Sequence, residues 1–205
     1  MTTIYLIRHS KTLKVKNEYN DDNLQIQNEK YSLSIEGEHI AEEKLNNKEF
    51  ENIDVLYSSN YVRTIQTAKY IAEKNNIEIN INSDFGERKF GINTWDELPE
   101  NFERRQFQEE NYKLSNGESR KEVTDRMYNA IIKILNDNKN KRIAIVSHGT
   151  AISFLLRKWC SIEKNDGKGK VVFNDNIIFN GNLDYCVTFK LEFDDNKLIN
   201  IENIK

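Results

Sequence analysis

Three short polar clusters in this 205-residue chain contain the residue types that bind and transfer small anions. They are Arg8-His9-Ser10, Ser58-Ser59 with the nearby Arg63, and Ser147-His148-Gly149. Each cluster directly follows a short apolar run that predicts a buried β-strand. In an open α/β sheet, ligands bind in the crevice beyond the carboxyl ends of the strands. We therefore expect two histidines and two arginines to meet in one cationic pocket suited to a phosphate-sized anion.

The histidine pair indicates catalysis as well as binding. A neutral imidazole nitrogen can attack phosphorus when the other ring nitrogen donates a hydrogen bond that fixes the tautomer. The guanidinium groups of Arg8 and Arg63 match phosphoryl oxygens in planar, bidentate geometry and neutralise the charge spread over them during transfer. The leaving alkoxide then needs a proton, which calls for a carboxylic acid beside the pocket.

Glu87 is the candidate for this acid, because it lies in an irregular segment that we expect to overhang the pocket. Three neighbouring carboxylates are expected to be only solvated: Asp96, Glu97 and Glu103. The third histidine, His39, stands among glutamates in a predicted helix, and we expect it on a solvated face with an i,i+4 pair to Glu43.

An alternation of predicted strands and helices positions the three clusters. Strands are predicted at Ile4–Ile7, Asp54–Tyr57, Ile77–Ile81 and Arg142–Val146, and helices from Ser34, over Tyr61–Lys74, Glu118–Leu135 and Thr150–Trp159. This alternation favours an α/β fold, with three α/β/α layers around a mainly parallel central sheet. Two later strands, Tyr185–Phe193 and Leu198–Ile204, predict a C-terminal hairpin that forms the antiparallel edge.

Three segments interrupt the alternation. Lys11–Tyr31 is polar and poor in aliphatic residues, which predicts a loop. Residues 83–117 predict a loop followed by a surface helix, a small lobe over the active site within a single domain of residues 1–205. Its aromatic residues Trp95, Phe102, Phe107 and Tyr112 either line the substrate or pack the lobe. Lys168-Gly169-Lys170 lacks the spacing of a phosphate-binding loop and predicts an exposed turn.

Composition excludes several other functions. Thirty basic against thirty-three acidic residues give a net charge of -3, without the basic surface of a general nucleic-acid binder. No stretch reaches the ~18–20 apolar residues of a membrane span, and the start lacks the features of a signal peptide. Cys160 and Cys186 are neither close nor patterned, which predicts free thiols. We expect a cytoplasmic protein with no membrane or nucleic-acid partner; the sequence makes no prediction of its oligomeric state.

Six motifs, in order along most of the chain, resemble those of the histidine phosphatase superfamily, which includes the phosphoglycerate mutases. They are Leu6–Thr12 with Arg8-His9-Ser10 at its centre, Leu33–Gly37, Tyr57-Ser58-Ser59 through Ala68, Glu87 through Gly91, Gly117-Glu118-Ser119, and Val146-Ser147-His148-Gly149. Each motif alone is weak, but six in the family's order make a strong joint signal. The resemblance thins most over residues 162–180, and Ser10 stands where the family usually has glycine.

The resemblance implies a role for each site residue. His9 is the expected nucleophile and becomes phosphohistidine, while Arg8, Arg63 and His148 hold the phosphoryl group. Glu87 is the expected proton donor, and as a carboxylate it then helps water to attack the phosphohistidine. The mechanism requires no metal or other cofactor. We add the hydroxyl groups of two residues from the first motif as candidate phosphate ligands: Ser10 and Thr12.

Three functions fit these observations. The first is a metal-independent phosphomonoesterase of the histidine acid phosphatase type that acts on a small phosphorylated metabolite. The second is a cofactor-dependent phosphoglycerate mutase, which shares the phosphohistidine chemistry but for which the chain is short. The third is a non-catalytic module with the same fold that binds a phosphorylated ligand or a protein. The first is favoured because every residue that catalysis requires is present.

Overall fold

A six-stranded β-sheet forms the centre of the structure, a computed structural model that describes residues 1–15, 24–165 and 168–204. Its strands are β1 (Thr2–Arg8), β2 (Val55–Ser58), β3 (Ile79–Ile81), β4 (Arg142–Ser147), β8 (Thr188–Asp194) and β9 (Lys197–Ile204). Their spatial order is β3-β2-β4-β1-β8-β9. The first four strands are mutually parallel, whereas β8 and β9 form an antiparallel hairpin at one edge.

The register of the parallel strands aligns the ends that carry the polar clusters. Arg8 at the end of β1 pairs with Ser147 at the end of β4, and Ser58 at the end of β2 pairs with Val146. The segments that follow all three strands therefore leave the sheet at the same edge. This alignment is what allows residues separated by up to about 140 positions to share a pocket.

Helices cover both faces of the sheet because its strands are apolar on both sides. The helices are α1 (Leu24–Lys30), α2 (Ile35–Leu45), α3 (Val62–Asn75), α4 (Phe102–Gln108), α5 (Arg120–Asp137) and α6 (Gly149–Leu156). On one face Leu6 and Ile145 belong to the core formed with α5 and α6, and on the other Ile7 and Val146 belong to the core formed with α2 and α3. The predicted three-layer α/β fold is confirmed.

The loop predicted for Lys11–Tyr31 is wrong over its last part, where the structure has the helix α1; residues 16–23 lie outside the described residues. Leu24 is the only residue of this helix that is buried, so the sequence shows no apolar period there. The helix instead contacts α3 through polar groups. Gln25 Nε2 donates to the Tyr61 hydroxyl at 2.8 Å, and Arg63 donates to the carbonyl of Asn28.

The exposed turn predicted at Lys168-Gly169-Lys170 is also wrong, because these residues open a strand. Strands β5 (Ser161–Asn165), β6 (Lys168–Phe173) and β7 (Asn176–Gly181) form a separate antiparallel sheet. This sheet is anchored to the core by Val171 and by Phe179, whose ring lies edge-on to Phe189 at 5.7 Å. Because β6 begins with the polar residues Lys168-Gly169-Lys170, the sequence pattern did not indicate a strand there.

The segment 83–117 contains irregular chain and the short helix α4, as predicted. Its aromatic side chains mainly pack against one another. The Phe90 ring lies 5.1 Å from Trp95 and 5.8 Å from Phe102, and the Phe102 ring lies 5.7 Å from Tyr112. These aromatic residues therefore hold the lobe together, with one exception, Phe107, that lines the cleft described below.

The start of α2 packs directly on the segment that follows β1. Ser34 caps α2 by accepting from the Gly37 N–H at 3.0 Å, and the Ser34 N–H donates to the Lys11 carbonyl at 3.0 Å. A Cβ atom at Gly37 would lie only 2.0 Å from the carbonyl oxygen of Lys11. Only glycine permits this approach.

Replacing Gly37 with alanine tests whether this contact sets the position of the chain after His9. The added Cβ must force the two backbones apart, so we expect the free energy of unfolding to fall by about 1–3 kcal/mol in a denaturant titration. Gly169→Ala is the matched control, because its Cβ meets no atom closer than 3.8 Å. We expect the control to change stability by less than about 0.5 kcal/mol. Equal stability of the two variants would contradict this account.

Candidate active site

The three polar clusters meet at the carboxyl edge of the parallel strands, with Arg63 at their centre. Arg63 lies in the first turn of α3 and is only 5% exposed. Its Nε donates to His9 Nε2 at 3.2 Å, and its Nη2 donates to His148 Nδ1 at 3.1 Å. The two imidazole rings lie 5.2 Å apart. One guanidinium group thus connects both predicted histidines.

His9 is held as a neutral base whose Nε2 is unprotonated. Its Nδ1 donates to the carbonyl oxygen of Ser10 at 2.7 Å, and Nε2 is therefore the unprotonated nitrogen that accepts from Arg63. Burial lowers the pKa of His9 well below its usual value, and the positive charge of Arg63 lowers it further. This is the tautomer that a nucleophilic imidazole requires.

His148 is buried just before α6 and is held in the other tautomer. Its Nδ1 accepts from Arg63, so Nε2 carries the proton and donates to Ser59 Oγ at 2.9 Å. Tyr61 packs against the ring with centroids 4.5 Å apart. Burial, followed by the charge of Arg63, lowers the pKa of His148 well below its usual value. Both histidines are therefore neutral at neutral pH.

Arg8 borders the same pocket from the end of β1. Its Nη1 donates to the carbonyl of Leu183, and its guanidinium group lies 4.8 Å from the ring centre of Tyr185. The Arg8 Nε is buried without a hydrogen-bond partner, beside Gly149. A buried donor of this kind favours an anionic acceptor, because an unmet N–H is costly.

Glu87 reaches the first turn of α6. Its Oε1 accepts from the backbone N–H of Ala151 at 3.1 Å and from that of Arg88 at 2.9 Å. Its charge also acts on Arg63 and Tyr61, the two residues that contact the ring of His148. The structure thus brings together Arg8, His9, Arg63, Glu87 and His148.

Arg126 fixes the loop that carries Glu87, and nothing in its sequence context indicated this. Its Nη2 donates to the carbonyls of Gly86 and Glu87 at 3.1 and 3.2 Å, and its Nε donates to Glu118 at 2.7 Å. Ser147 Oγ holds the same loop through the carbonyl of Phe85 at 2.7 Å. The loop that carries Glu87 is therefore tied to both α5 and β4.

The remaining two predicted phosphate ligands have structural contacts. The Ser10 hydroxyl donates to the carbonyl of Gly37 at 2.6 Å, and the Ser10 N–H donates to Thr67 at 3.0 Å. Thr12 lies in an isolated antiparallel bridge with Leu33. Ser10 therefore ties the segment that follows β1 to α2 and α3. A role of the Ser10 or Thr12 hydroxyl in phosphate binding stays a prediction.

A cleft of about 250 Å³ opens next to Arg8 and Gly149. Its other walls combine charged, hydroxyl and apolar side chains: Arg88, Glu103, Phe107, Thr150, Ser153 and Glu163. Glu103 was expected to be only solvated, but it forms an ion pair with the buried Arg88. Glu163 comes from β5, so the small sheet contributes one wall.

Two further features bear on the predictions of partners. Throughout residues 1–15, 24–165 and 168–204, every helix is too short or too polar to span a bilayer. Over the same ranges, no three histidine, cysteine or carboxylate side chains gather as a metal site requires.

Cys160 and Cys186 are free and buried, as predicted.

The fold and site define a histidine phosphatase. A model of the histidine phosphatase superfamily (branch 1) matches residues 4–177, and the chain belongs to this superfamily. It is 31% identical over 159 residues to the uncharacterized phosphatase PhoE of Bacillus subtilis (strain 168), a match that covers 76% of each chain. The resemblance inferred from the six motifs is confirmed.

Solved structures share the fold at lower identity. A mycobacterial glucosyl-3-phosphoglycerate phosphatase in complex with VO3 has a TM-score of 0.68 and 16% identity, covering 98% of this chain and 96% of that one. A phosphoserine phosphatase of Entamoeba histolytica in complex with 3-phosphoglyceric acid has a TM-score of 0.59 and 22% identity, covering 88% and 97%. These similarities show a common architecture.

Removing the Ser59 hydroxyl tests its hold on His148. Ser59→Ala leaves a buried N–H without an acceptor, so we expect a loss of about 1–3 kcal/mol of unfolding free energy. The protected Nε2–H signal of His148 should disappear from or shift in the NMR spectrum. Ser58→Ala is the control, because Ser58 Oγ is equally buried but bonds only the Ser59 carbonyl. An unchanged His148 signal in Ser59→Ala would refute the assignment.

The lowered pKa values of the two histidines predict acid sensitivity. Below pH ~6.5 the unfolded chain binds protons at these histidines that the folded chain does not, so stability must fall as pH decreases. Between pH 7.5 and 5.5 we expect a loss on the order of 1 kcal/mol per histidine. His9→Gln should remove one histidine's share of this pH dependence in denaturant titrations, whereas His39→Gln, at an exposed position, should retain it. The same slope in both variants would count against the account.

Proposed function

We propose that this chain is a metal-independent phosphomonoesterase that transfers the phosphoryl group of a small phosphorylated metabolite to His9 and then to water. One observation carries the proposal: His9 Nε2 carries no proton, and it lies at hydrogen-bond distance from the guanidinium group of Arg63. A neutral nucleophile next to fixed guanidinium groups is the arrangement that phosphoryl transfer requires.

In the first step, a bond forms between His9 Nε2 and phosphorus while the ester P–O bond breaks. Arg63 and the unpartnered Nε of Arg8 turn their N–H groups to the phosphoryl oxygens and neutralise their charge. His148, bonded to Arg63, keeps that guanidinium in place. Glu87 gives its proton to the leaving alkoxide and becomes a carboxylate.

In the second step, water attacks phosphorus and the N–P bond breaks. The Glu87 carboxylate takes a proton from that water, and inorganic phosphate leaves with His9 again neutral. Backbone N–H groups from Ala151 and Arg88 stabilise the carboxylate between the two steps. The contacts from Arg126 keep the carboxylate within reach of the pocket.

The cleft beside Arg8 is the proposed site of the leaving group. Its mixture of charged, hydroxyl and apolar side chains suits a small polar metabolite. The names of the structural relatives support this class, since they act on glucosyl-3-phosphoglycerate and phosphoserine. The buried free thiols agree with the cytoplasmic location that we propose.

Hydrolysis is preferred over the two alternatives. The relatives bear phosphatase names, and the complete set of Arg8, His9, Arg63, Glu87 and His148 argues against a module that only binds. Incubation with phosphoglycerate separates the enzymes: free phosphate supports the phosphatase, and isomerisation without phosphate release supports the mutase.

Glu87→Gln tests both the acid and the intermediate. With an alkyl phosphate, whose leaving group needs a proton, we expect turnover to fall by ~10²–10⁴-fold. With a nitrophenyl phosphate the leaving group needs none, so the variant should give a burst of one nitrophenol per chain and accumulate a phosphoprotein. The measurements are stopped-flow absorbance and phosphohistidine detection after a quench at alkaline pH.

Two controls complete this experiment. Glu97→Gln changes an exposed carboxylate of the same lobe and should retain the wild-type rate on both substrates. His9→Ala should give neither burst nor phosphoprotein. A phosphoprotein in His9→Ala would assign the nucleophile elsewhere, and an unchanged alkyl phosphatase rate in Glu87→Gln would reassign the acid.

A further inference from the structure

A second cationic cavity of about 310 Å³ lies between α5 and the chain that follows α6. Its charged lining residues are Arg120, Lys121, Arg157, Lys158, Glu110 and Asp125. They include none of the residues that form the phosphate pocket. Four cations thus face two carboxylates around one cavity that is open to solvent.

The two arginines of this cavity have donors without acceptors. The Nε atoms of Arg120 and Arg157 are both buried and lack a hydrogen-bond partner. Among the described residues, neither side chain forms an ion pair with a carboxylate. Because an unmet buried N–H is costly, the arrangement indicates a ligand that accepts hydrogen bonds.

The carboxylates of the cavity do not neutralise these arginines. Asp125 is shared between two lysines: it pairs with Lys121 and lies 3.2 Å from Lys158 Nζ. Glu110 is exposed, and its backbone carbonyl accepts from the Lys121 N–H at 3.0 Å. The positive charge of Arg120 and Arg157 therefore remains uncompensated.

Arg157 is also fixed in position before any ligand binds. Its guanidinium group lies 4.2 Å from the ring centre of Phe107, and its Nη2 donates to the carbonyl of Ile162 at 3.3 Å. Burial, and after it the charge of Arg120, lowers the pKa of Arg157 to about 10. An anion placed between the two guanidinium groups would relieve this repulsion.

We propose that this cavity is a second oxyanion site, separate from the active site, which binds a phosphate-sized group through the Nε–H donors of Arg120 and Arg157. Guanidinium groups recognise tetrahedral oxyanions by such directed, charge-assisted hydrogen bonds. The lysine pair held by Asp125 adds positive potential at the rim. Inorganic phosphate and the phosphoryl group of a metabolite share this chemistry.

Calorimetric titration with inorganic phosphate tests the proposal. The wild-type chain should bind two phosphates, one at the active site and one at the cavity. Arg120→Gln should retain the first and weaken the second by at least ~10-fold, since a charged hydrogen bond is lost. Lys133→Gln removes the same charge from an exposed position of α5 outside the cavity, and should retain both sites.

A second measurement separates this site from the active site. In Arg63→Gln, where phosphate binding at the active site is impaired, the Nε–H NMR signals of Arg120 and Arg157 should still shift on phosphate addition. Those signals also test the wild-type chain directly if Arg120→Gln fails to fold. Signals that do not move, or a single phosphate bound by wild-type and lost in Arg63→Gln, would overturn the proposal. Titration with glycerol phosphate then shows whether the site accepts an ester as well as free phosphate.

Discussion

The structure depends on one buried guanidinium group placed between two neutral imidazoles. Arg63 lies at 5% exposure and, among the described residues, forms no ion pair with a carboxylate. Burial lowers its own pKa; burial, and after it the charge of Arg63, also lowers the pKa of His9 and of His148. An isolated buried cation is costly, so much of the surrounding chain serves to satisfy it. Tyr61 stacks on its guanidinium group at 4.6 Å, and the Asn28 carbonyl accepts from it.

Strands position some of the site residues, and a loop positions another. The parallel register of β1, β2 and β4 brings the ends of three strands to one edge, so the phosphate pocket lies on rigid elements. Glu87, the proposed acid, instead lies on an irregular loop that Arg126 and Ser147 hold in position. His9, the proposed nucleophile, and Glu87, the proposed proton donor, share one anchor: the Ser147 carbonyl accepts from the His9 N–H at 2.9 Å, and the Ser147 hydroxyl holds the loop of Glu87. The first turn of α6 binds Glu87 as well.

Strand ends were predictable from the sequence because short aliphatic runs followed by polar residues give a strong local signal. The sequence alone therefore predicted that Arg8, His9, Arg63 and His148 lie together. Other features leave no such signal: α1 has a single buried residue, and the small sheet begins with polar residues. Arg126 holds the loop of Glu87 through the backbone carbonyls of Gly86 and Glu87, and no residue pattern encodes such contacts. Ser10 was assigned by its hydroxyl, yet that hydroxyl contacts the Gly37 carbonyl.

Backbone carbonyls position three of the four cationic or basic groups that face the phosphate pocket. Ser10 supplies one to His9, Asn28 one to Arg63 and Leu183 one to Arg8. Every amino acid carries this group, so these three hydrogen bonds do not depend on the type of side chain at the accepting residue. Such contacts can therefore persist as a sequence diverges, and the fold itself is retained at 16% and 22% identity. Comparing side chains alone will underestimate how much of such a site two distant proteins share.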